Sequence, residues 1–145
     1  MQIKFFCTRW GSEQTDWNVF LSRAKEAGYD GVEAGIPATE TKEQIAALCD
    51  QAARHDLLMI IQHYDTYDAD FSRHYDHYAA WLEKINGLNI VRVNFQTGKD
   101  YFSFEQNKSL IDLAAKFSEE QGIEVLHETH RNKFSFAAHI TRQYL

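Results

Sequence analysis

Cysteine and long apolar runs are scarce in this sequence. Its 145 residues include only Cys7 and Cys49, whose spacing forms neither a metal-ligand pair nor a disulfide framework. This scarcity favours a reduced, cytoplasmic location. No apolar stretch approaches the roughly 20 residues that span a bilayer, so we expect no membrane segment. The chain opens at Met1 without a charged leader, which predicts that the fold starts with the first residues.

Positive charge is also scarce. Fifteen Lys and Arg residues stand against 21 Asp and Glu residues, which leaves a formal charge of −6. Nucleic-acid phosphates would be repelled, so we expect no nucleic-acid partner. The sequence also lacks a Gly-x-Gly-x-x-Gly turn, a phosphate-binding loop and a Gly-x-Ser-x-Gly elbow. Dinucleotide binding, nucleotide hydrolysis and serine-nucleophile chemistry are therefore unsupported.

What the sequence does contain is an alternation of strand-like and helix-like patterns. Hydrophobic residues make up 44% of the chain, enough for one domain over residues 1–145. Apolar positions at i, i+3, i+4 and i+7 predict helices between the strand-like runs, and a last helix from about Ser135 to Leu145. The order predicts an α/β fold with a parallel sheet. The predicted strands are Ile3–Cys7, Gly31–Ala34, Leu58–His63, Ile90–Phe95 and Glu124–His130.

Helix-end signals support this alternation. Thr41 with Gln44, and Ser103 with Gln106, have the spacing of a capping box. Gly28, Gly87 and Gly122 are predicted to end helices, because glycine accepts the left-handed conformation that follows a helix. The pair His74 and His77 is predicted to lie on a solvated helix face.

Polar residues recur where the predicted strands end. Trp10 follows the first strand, Gln96 follows the fourth, and His130 ends the fifth. Carboxyl ends of parallel strands meet at one rim, so we expect these groups to converge on a small polar ligand or a metal. Taken singly, each glutamate also suits a structural role, and His63 equally suits a core histidine. The strand-end anchors are Cys7, Glu33, His63, Asn94 and Glu128, which are 26, 30, 31 and 34 residues apart.

Several of these segments resemble the xylose-isomerase-like TIM-barrel family, which includes sugar and sugar-phosphate isomerases and epimerases and related endonucleases. The segments Phe5-Phe6-Cys7-Thr8-Arg9-Trp10-Gly11 and Ala27-Gly28-Tyr29-Asp30-Gly31-Val32-Glu33 resemble its start. Gln62-His63 and Val93-Asn94 resemble its third and fourth strand ends. Leu126-His127-Glu128-Thr129-His130-Arg131 resembles its fifth strand, where a glutamate binds a divalent metal. The resemblance covers the whole chain.

The resemblance implies a fold and a set of site residues. It implies a (βα)5 portion of a TIM barrel, with strand order 1-2-3-4-5 and helices outside; a complete barrel has eight such units in about 250 residues. Glu128 would be a metal ligand and an acid/base group, and the metal would be Mn, Mg, Zn or Co. The family's other ligands, an Asp, a His and a second Glu, would lie beyond Leu145. The implied substrate-binding residues are Trp10, Glu33, His63, Asn94 and His130.

The resemblance also implies a function. We expect the complete barrel to isomerise or epimerise a small sugar or sugar phosphate, by removing the proton next to a carbonyl through an enediolate. The 145 residues alone are expected to be inactive, and a chain of this length is expected to pair as a two-fold dimer that covers its open sheet. One alternative is a partial barrel that serves as a binding or assembly module. Another is a receiver-like sheet with strand order 2-1-3-4-5.

Overall fold

The computed structural model describes residues 2–145, in which a parallel five-stranded sheet alternates with helices. The expected start at Met1 lies outside these residues. The strands are β1 (Phe6–Thr8), β2 (Gly31–Gly35), β3 (Leu58–His63), β4 (Arg92–Phe95) and β5 (Glu124–His127). The helices are α1 (Trp17–Glu26), α2 (Lys42–Arg54), α3 (Phe71–Ile85), α4 (Phe104–Gln121) and α5 (Ala138–Thr141), and a 3₁₀ turn follows at Arg142–Tyr144.

The strand order is β1-β2-β3-β4-β5, and every neighbouring pair is parallel. The predicted order is confirmed, and the receiver-like alternative is wrong. Parallel crossovers are almost always right-handed. Four successive crossovers in the same direction therefore place their helices on one face of the sheet. We call the opposite face the inner face.

Local signals set the helix ends as predicted. Both capping boxes form. The Thr41 and Ser103 hydroxyls accept from the backbone N–H groups three residues on, and the Gln44 and Gln106 side-chain carbonyls accept from the Thr41 and Ser103 backbone N–H groups. Gly122 follows α4 with φ of 65°, a conformation that costs little only without a Cβ. These caps satisfy backbone groups that a helix end leaves unpaired.

Five predicted elements differ from the structure at their boundaries. β2 ends one residue later than predicted, at Gly35, and β4 begins two residues later, at Arg92. β1 begins at Phe6 because the Phe5 N–H donates to the Asp30 carboxylate at 2.8 Å instead of to a strand. β5 ends at His127. The Ser135 hydroxyl donates to the Glu128 backbone carbonyl at 2.7 Å, and this bond holds the chain where it turns back after the strand. The last helix covers one turn only, since its N-cap residue Ala137 offers no side-chain acceptor.

The core lies between the sheet and the helices. Outward residues of the central strands are buried against apolar residues of all four long helices. Burying each large side chain contributes roughly 1.5–3 kcal/mol. No helix among residues 2–145 is both long and apolar enough to cross a membrane. The sheet contributes Val32, Ala34, Met59, Ile61, Val93 and Phe95, and the helices contribute Leu21, Ile45, Trp81 and Leu110.

The sheet has two open edges, β1 and β5. Ile3 and Phe5, just before β1, are each 63% exposed, and Leu126 of β5 is 39% exposed. Exposed apolar side chains beside an unpaired strand are typical of an interface or an aggregation site. Self-association of this chain stays a prediction.

Two histidines, His63 and His74, are buried by the fold, and a third, His127, is partly buried. His74 on α3 is 1% exposed, so the prediction of a solvated face is wrong for it, whereas the His77 side chain is 64% exposed. His74 lies with Phe102, its ring perpendicular to the phenyl ring. Burial lowers the pKa of His63 to about 3, and the pKa values of His74 and His127 to about 4. All three imidazoles are therefore neutral at neutral pH.

Acid should unfold this protein cooperatively. A depressed histidine pKa contributes stability that is present above pH 6.5 and lost as pH falls toward the folded pKa values. Each such group contributes about 1.4 kcal/mol per pH unit, so three give up to about 4 kcal/mol per unit near pH 5. Denaturant unfolding from pH 7 to pH 4, followed by circular dichroism, measures this slope. A free energy of unfolding that stays constant over this range would contradict the neutral state of these rings.

Candidate functional site

Strand alternation divides the side chains between the two faces of the sheet. Successive residues of a strand point to opposite faces. Val32, Ile61 and Val93 face the helical core, so Glu33, Gln62 and Asn94 reach the inner face. Gln62 and Asn94 lie in the carboxyl-terminal halves of their strands, and Glu33 is the central residue of β2.

These inner residues pair across every second strand. The Asn94 amide on β4 donates to Glu33 on β2 at 3.1 Å. The Gln62 amide on β3 donates to Glu128, just after β5, at 2.7 Å. In a barrel with tilted strands, residues at one level come from alternate strands. The two pairs are therefore successive levels of a barrel interior.

A chain of hydrogen bonds runs along the upper level. The Trp10 indole N–H donates to the side-chain oxygen Oε1 of Gln62 at 2.7 Å. The side-chain N–H of Gln62 is then available to donate to Glu128. Gln96 donates to the same carboxylate oxygen at the longer distance of 3.4 Å. Gln62 is 5% exposed, whereas Trp10 is 49% exposed. One buried amide thus orients both an exposed indole and a carboxylate.

Gly35 makes room for the indole. A Cβ at this position would lie 2.7 Å from the Tyr64 ring and 3.0 Å from the Trp10 ring. The two rings meet edge to face with centroids 5.4 Å apart. The end of β2 therefore has no side chain where Trp10 folds over the inner face.

A nearly buried lysine lies within electrostatic range of Glu128. Lys133, in the segment after β5, is 5% exposed. Burial lowers its pKa to about 8, with Lys99 acting in the same direction and Asp65 and Glu128 opposing them. The ammonium form still dominates at neutral pH, so a positive charge remains near the Glu128 carboxylate.

The structure does not place His63 with the other predicted site residues. His63 faces the helical layer, where its ring lies 4.4 Å from the Trp81 ring, and its Nε2 shares a hydrogen bond of 2.6 Å with Thr66. The expectation that it faces inward is wrong by one residue, and Gln62 occupies the inner position. The apolar pattern could not reveal this, because a central barrel strand is buried on both faces.

Two other predicted positions also differ from expectation. His130 lies beyond the end of β5, and its Nδ1 contacts the carbonyl of the following residue, Arg131, at 2.8 Å. It therefore does not share a strand face with Glu128. Cys7 packs against the helical core instead of the inner face. Of the predicted site residues, Trp10, Glu33, Asn94 and Glu128 do lie on the inner face.

The residues present do not make a complete metal site. Among residues 2–145, no group of three His, Cys, Asp or Glu side chains converges closely enough to hold an ion. One oxygen of Glu128 already accepts two amide hydrogen bonds, and Glu33 is engaged by Asn94. Tight binding of a divalent cation requires more oxygen or nitrogen ligands than one carboxylate supplies.

Comparison with solved structures identifies the fold as part of a TIM barrel. The D-psicose 3-epimerase structure in the presence of D-fructose is similar with a TM-score of 0.63 and 11% identity, over 98% of this chain and 60% of that one. The AP endonuclease, family 2, from Brucella melitensis is similar with a TM-score of 0.59 and 13% identity, over 98% of this chain and 65% of that one. The mannanase catalytic domain from Streptomyces sp. SirexAA-E is similar with a TM-score of 0.58 and 13% identity, over 85% of this chain and 45% of that one.

At 11–13% sequence identity, these structural similarities establish the fold alone. The (βα)5 barrel portion with helices outside is thereby confirmed, and its neighbours include an epimerase and an endonuclease, as the sequence resemblance implied. This chain spans between 45% and 65% of the length of these three proteins. No family model matches the sequence, and no curated protein matches it.

Gln62 should be the most sensitive inner-face residue for stability. Gln62→Leu leaves the Trp10 N–H without a partner and Glu128 Oε2 with only the 3.4 Å bond from Gln96, and we expect a loss of about 2 kcal/mol in the free energy of unfolding. Gln96→Leu is the matched control, because its longer bond should make the loss under about 1 kcal/mol. Urea denaturation at neutral pH measures both values. Equal losses would contradict the central role of Gln62.

Proposed function

We propose that the inner face binds a small ketose-like sugar or sugar phosphate, and that Glu128 exchanges the proton next to its carbonyl when the barrel is complete. The reaction class is isomerisation or epimerisation. The observation that carries this proposal is the carboxylate of Glu128, oriented by Gln62 and Gln96 beside the exposed indole of Trp10. The fold similarity to a sugar epimerase supports the same class.

Trp10 would cover the sugar. Its ring edge is anchored through the indole N–H to Gln62 and packs on Tyr64, while about half of its surface is open. An anchored indole offers an apolar face to the C–H groups of a sugar ring at little entropic cost. Because Trp10 and Glu128 are both hydrogen-bonded to Gln62, a sugar stacked on the indole would lie close to the carboxylate.

The lower level would bind hydroxyl groups. Glu33 offers carboxylate oxygens as acceptors, and Asn94 offers both a carbonyl oxygen and an N–H. Both side chains are half-buried and already joined by one bond of 3.1 Å. A hydroxyl both donates and accepts, so it can add to this pair without leaving either side chain unpaired.

Glu128 would act as the proton acceptor. Its Oε2 accepts from Gln62 and Gln96, and its Oε1 has no hydrogen-bond partner among residues 2–145. In the proposed step, the proton leaves the carbon next to the carbonyl for Oε1, and the electron pair moves to the carbonyl oxygen as an enediolate. Return of the proton to the former carbonyl carbon, with transfer of the hydroxyl proton to the former carbonyl oxygen, isomerises the sugar. Return to the opposite face of the carbon that lost the proton epimerises it.

In this proposal, a divalent ion would be bound by this chain through Glu128 alone. Such an ion would stabilise charge on the enediolate oxygen. Its remaining ligands are not among the described residues, so Glu128 is the one ligand that this chain would contribute. The compared proteins are longer, and the activity of a complete barrel accordingly rests on more than this chain.

A non-catalytic sugar-binding module is the second candidate. The observation that favours it is that Glu33, another carboxylate of the inner face, is already engaged by Asn94. Such a module would bind the sugar through the same inner face and would not exchange its protons. Binding and exchange therefore need separate measurements.

Binding should depend on Trp10. We expect D-fructose to show saturable contacts in saturation-transfer NMR, and Trp10→Ala to weaken binding about tenfold because the sugar loses its stacking surface. Tyr101→Ala is the control, since Tyr101 is 61% exposed and lies in the loop after β4. An equal effect of both variants, or no saturable binding, would contradict the inner-face site.

Exchange should depend on Glu128. In D₂O, loss of the fructose proton next to the carbonyl, followed by NMR with and without Mn²⁺, reports the proposed step. Glu128→Gln should reduce any exchange at least 100-fold, because the amide is not a base. Glu124→Gln is the matched control on β5, where the glutamate pairs with Arg92. Binding without exchange in the wild-type chain would favour the non-catalytic module.

A further inference from the structure

The amine of Lys133 is a buried nucleophile that the proposed function does not use. Lys133 lies in the turn after β5, where the N–H of the next residue, Phe134, donates to the Thr97 carbonyl at 3.4 Å. Thr97 follows β4, so this bond holds the turn against the neighbouring strand-end loop. Lys133 therefore lies on the carboxyl-terminal side of the sheet, as Glu128 does.

No side chain in the described part of the chain neutralises the Lys133 charge directly. The residue is 5% exposed, and no carboxylate oxygen of residues 2–145 lies within 4.0 Å of its Nζ. Burial and more distant charges are the causes that shift its pKa, and no hydrogen bond is among them. Lysine is almost never buried without a partner, because the ammonium loses its hydration there. An unpaired lysine at this depth therefore indicates a function for the amine.

A second nearly buried lysine lies close enough to act on the first. Lys99, in the loop after β4, is 8% exposed, and its Nζ lies 5.5 Å from the centre of the Tyr67 ring. Its positive charge disfavours the positive charge on Lys133. Desolvation and a neighbouring cation both favour the neutral form of a lysine, and the neutral amine is the form that attacks a carbonyl carbon.

The other charged groups nearby do not restore the ordinary basicity of Lys133. The two carboxylates raise its pKa, yet burial and the Lys99 charge outweigh them and leave the pKa at about 8. The two imidazoles are neutral at pH 7 and add no charge. About one Lys133 side chain in ten is then a neutral amine at pH 7, against roughly one in a few thousand for an ordinary lysine. The titratable groups around Lys133 are Lys99, Asp65, Glu128, His63 and His74.

Solvent reaches the Lys133 amine. Within residues 2–145, the side-chain polar atoms that are both closed to solvent and without a partner belong to other residues. The small exposed fraction of Lys133 favours a small reaction partner. We propose that Lys133 is a nucleophile that forms a Schiff base with a small aldehyde, such as an open-chain triose. This inference goes beyond the proposed function, because the covalent step needs neither proton exchange at Glu128 nor a complete barrel.

The covalent step consumes the amine and the aldehyde alone. The neutral Lys133 nitrogen attacks the aldehyde carbon, a C–N bond forms, and the carbonyl electron pair moves to the oxygen, which takes one proton from the nitrogen. The resulting carbinolamine loses its hydroxyl group together with the second amine proton as water, and a C=N bond remains. Amine and aldehyde thus become imine and water. The imine withdraws electrons from the neighbouring carbon, as in other lysine enzymes that act on carbonyl compounds.

The test measures competition between the lysines of the full chain. The protein is treated at pH 7 with glyceraldehyde and cyanoborohydride, which reduces each imine to a stable secondary amine, and peptide mass spectrometry gives the rate at every lysine. We expect Lys133 to react at least tenfold faster than Lys108 and Lys116, whose side chains are 54% and 70% exposed. A rate at Lys133 equal to or below theirs would overturn the proposal.

The pH dependence of the rate separates an activated amine from an accessible one. Modification of Lys133 should rise with pH and level off above about pH 8, where the amine is fully neutral. An ordinary exposed lysine keeps gaining reactivity up to about pH 10. In urea the advantage of Lys133 should disappear, because unfolding returns the amine to water. An advantage that persists in urea would show that the fold does not activate this lysine, and would also overturn the proposal.

Variants assign the reactive group. Lys133→Arg should remove the fast phase of modification, because a guanidinium is not a nucleophile at this pH, and Lys116→Arg is the matched control that should keep it. Lys99→Gln should slow modification of Lys133 several-fold, since the cation that favours the neutral amine is lost, whereas Lys99→Arg should preserve the rate. Circular dichroism checks that each variant is folded. A fast phase that persists in folded Lys133→Arg would overturn the proposal.

Discussion

The handedness of the strand–helix–strand crossover is the constraint on which the rest of this structure depends. Because each crossover turns the same way and adds a strand at the same edge, the four long helices cover one face and leave the other face without a helix. The two faces then meet different physical demands. The outer face must be apolar to pack against helices, whereas the inner face can hold polar groups wherever they find partners.

On the inner face, hydrogen bonding decides where polar groups lie. Gln62 is almost fully buried, and both ends of its amide are used, one by Trp10 and one by Glu128. A carboxylate with two amide donors has a defined orientation in the absence of a ligand, which is the preorganisation that catalysis and binding require. The same amide couples the exposed indole to the carboxylate, so the stacking surface and the proton acceptor of the proposed site are set by one residue.

The outer face shows a different use of polar residues. His63 and His74 are embedded among aromatic rings, where burial keeps them neutral. Next to His63, the loop after β3 leaves Asp65 without a full set of partners, and Trp81 on α3 has a free N–H. A core that tolerates unpaired polar atoms loses stability, and such atoms are retained where a bound molecule or water completes them.

The sequence by itself determined the element order and the helix caps. These follow from local physics: helical periodicity, capping boxes and glycine after a helix each act within a few residues. Their agreement with the structure at Thr41, Ser103 and Gly122 is close. The strand order 1-2-3-4-5 was implied by the family resemblance, since no local signal separates it from the order 2-1-3-4-5. Glu33, Asn94 and Glu128 were also identifiable as strand-end polar groups on one rim.

Only the tertiary structure decided which neighbour of a strand-end pair faces inward. In β3, Ile60 and Ile61 are both buried, so the sequence has no polar–apolar alternation that could show whether Gln62 or His63 belongs to the inner face. The choice depends on registry with β2 and β4, which are distant in sequence. The end of β5 and the position of His130 likewise depend on contacts from Ser135 and Phe95. Side-chain direction in a two-sided buried strand is a property of packing across the whole sheet, and no local pattern encodes it.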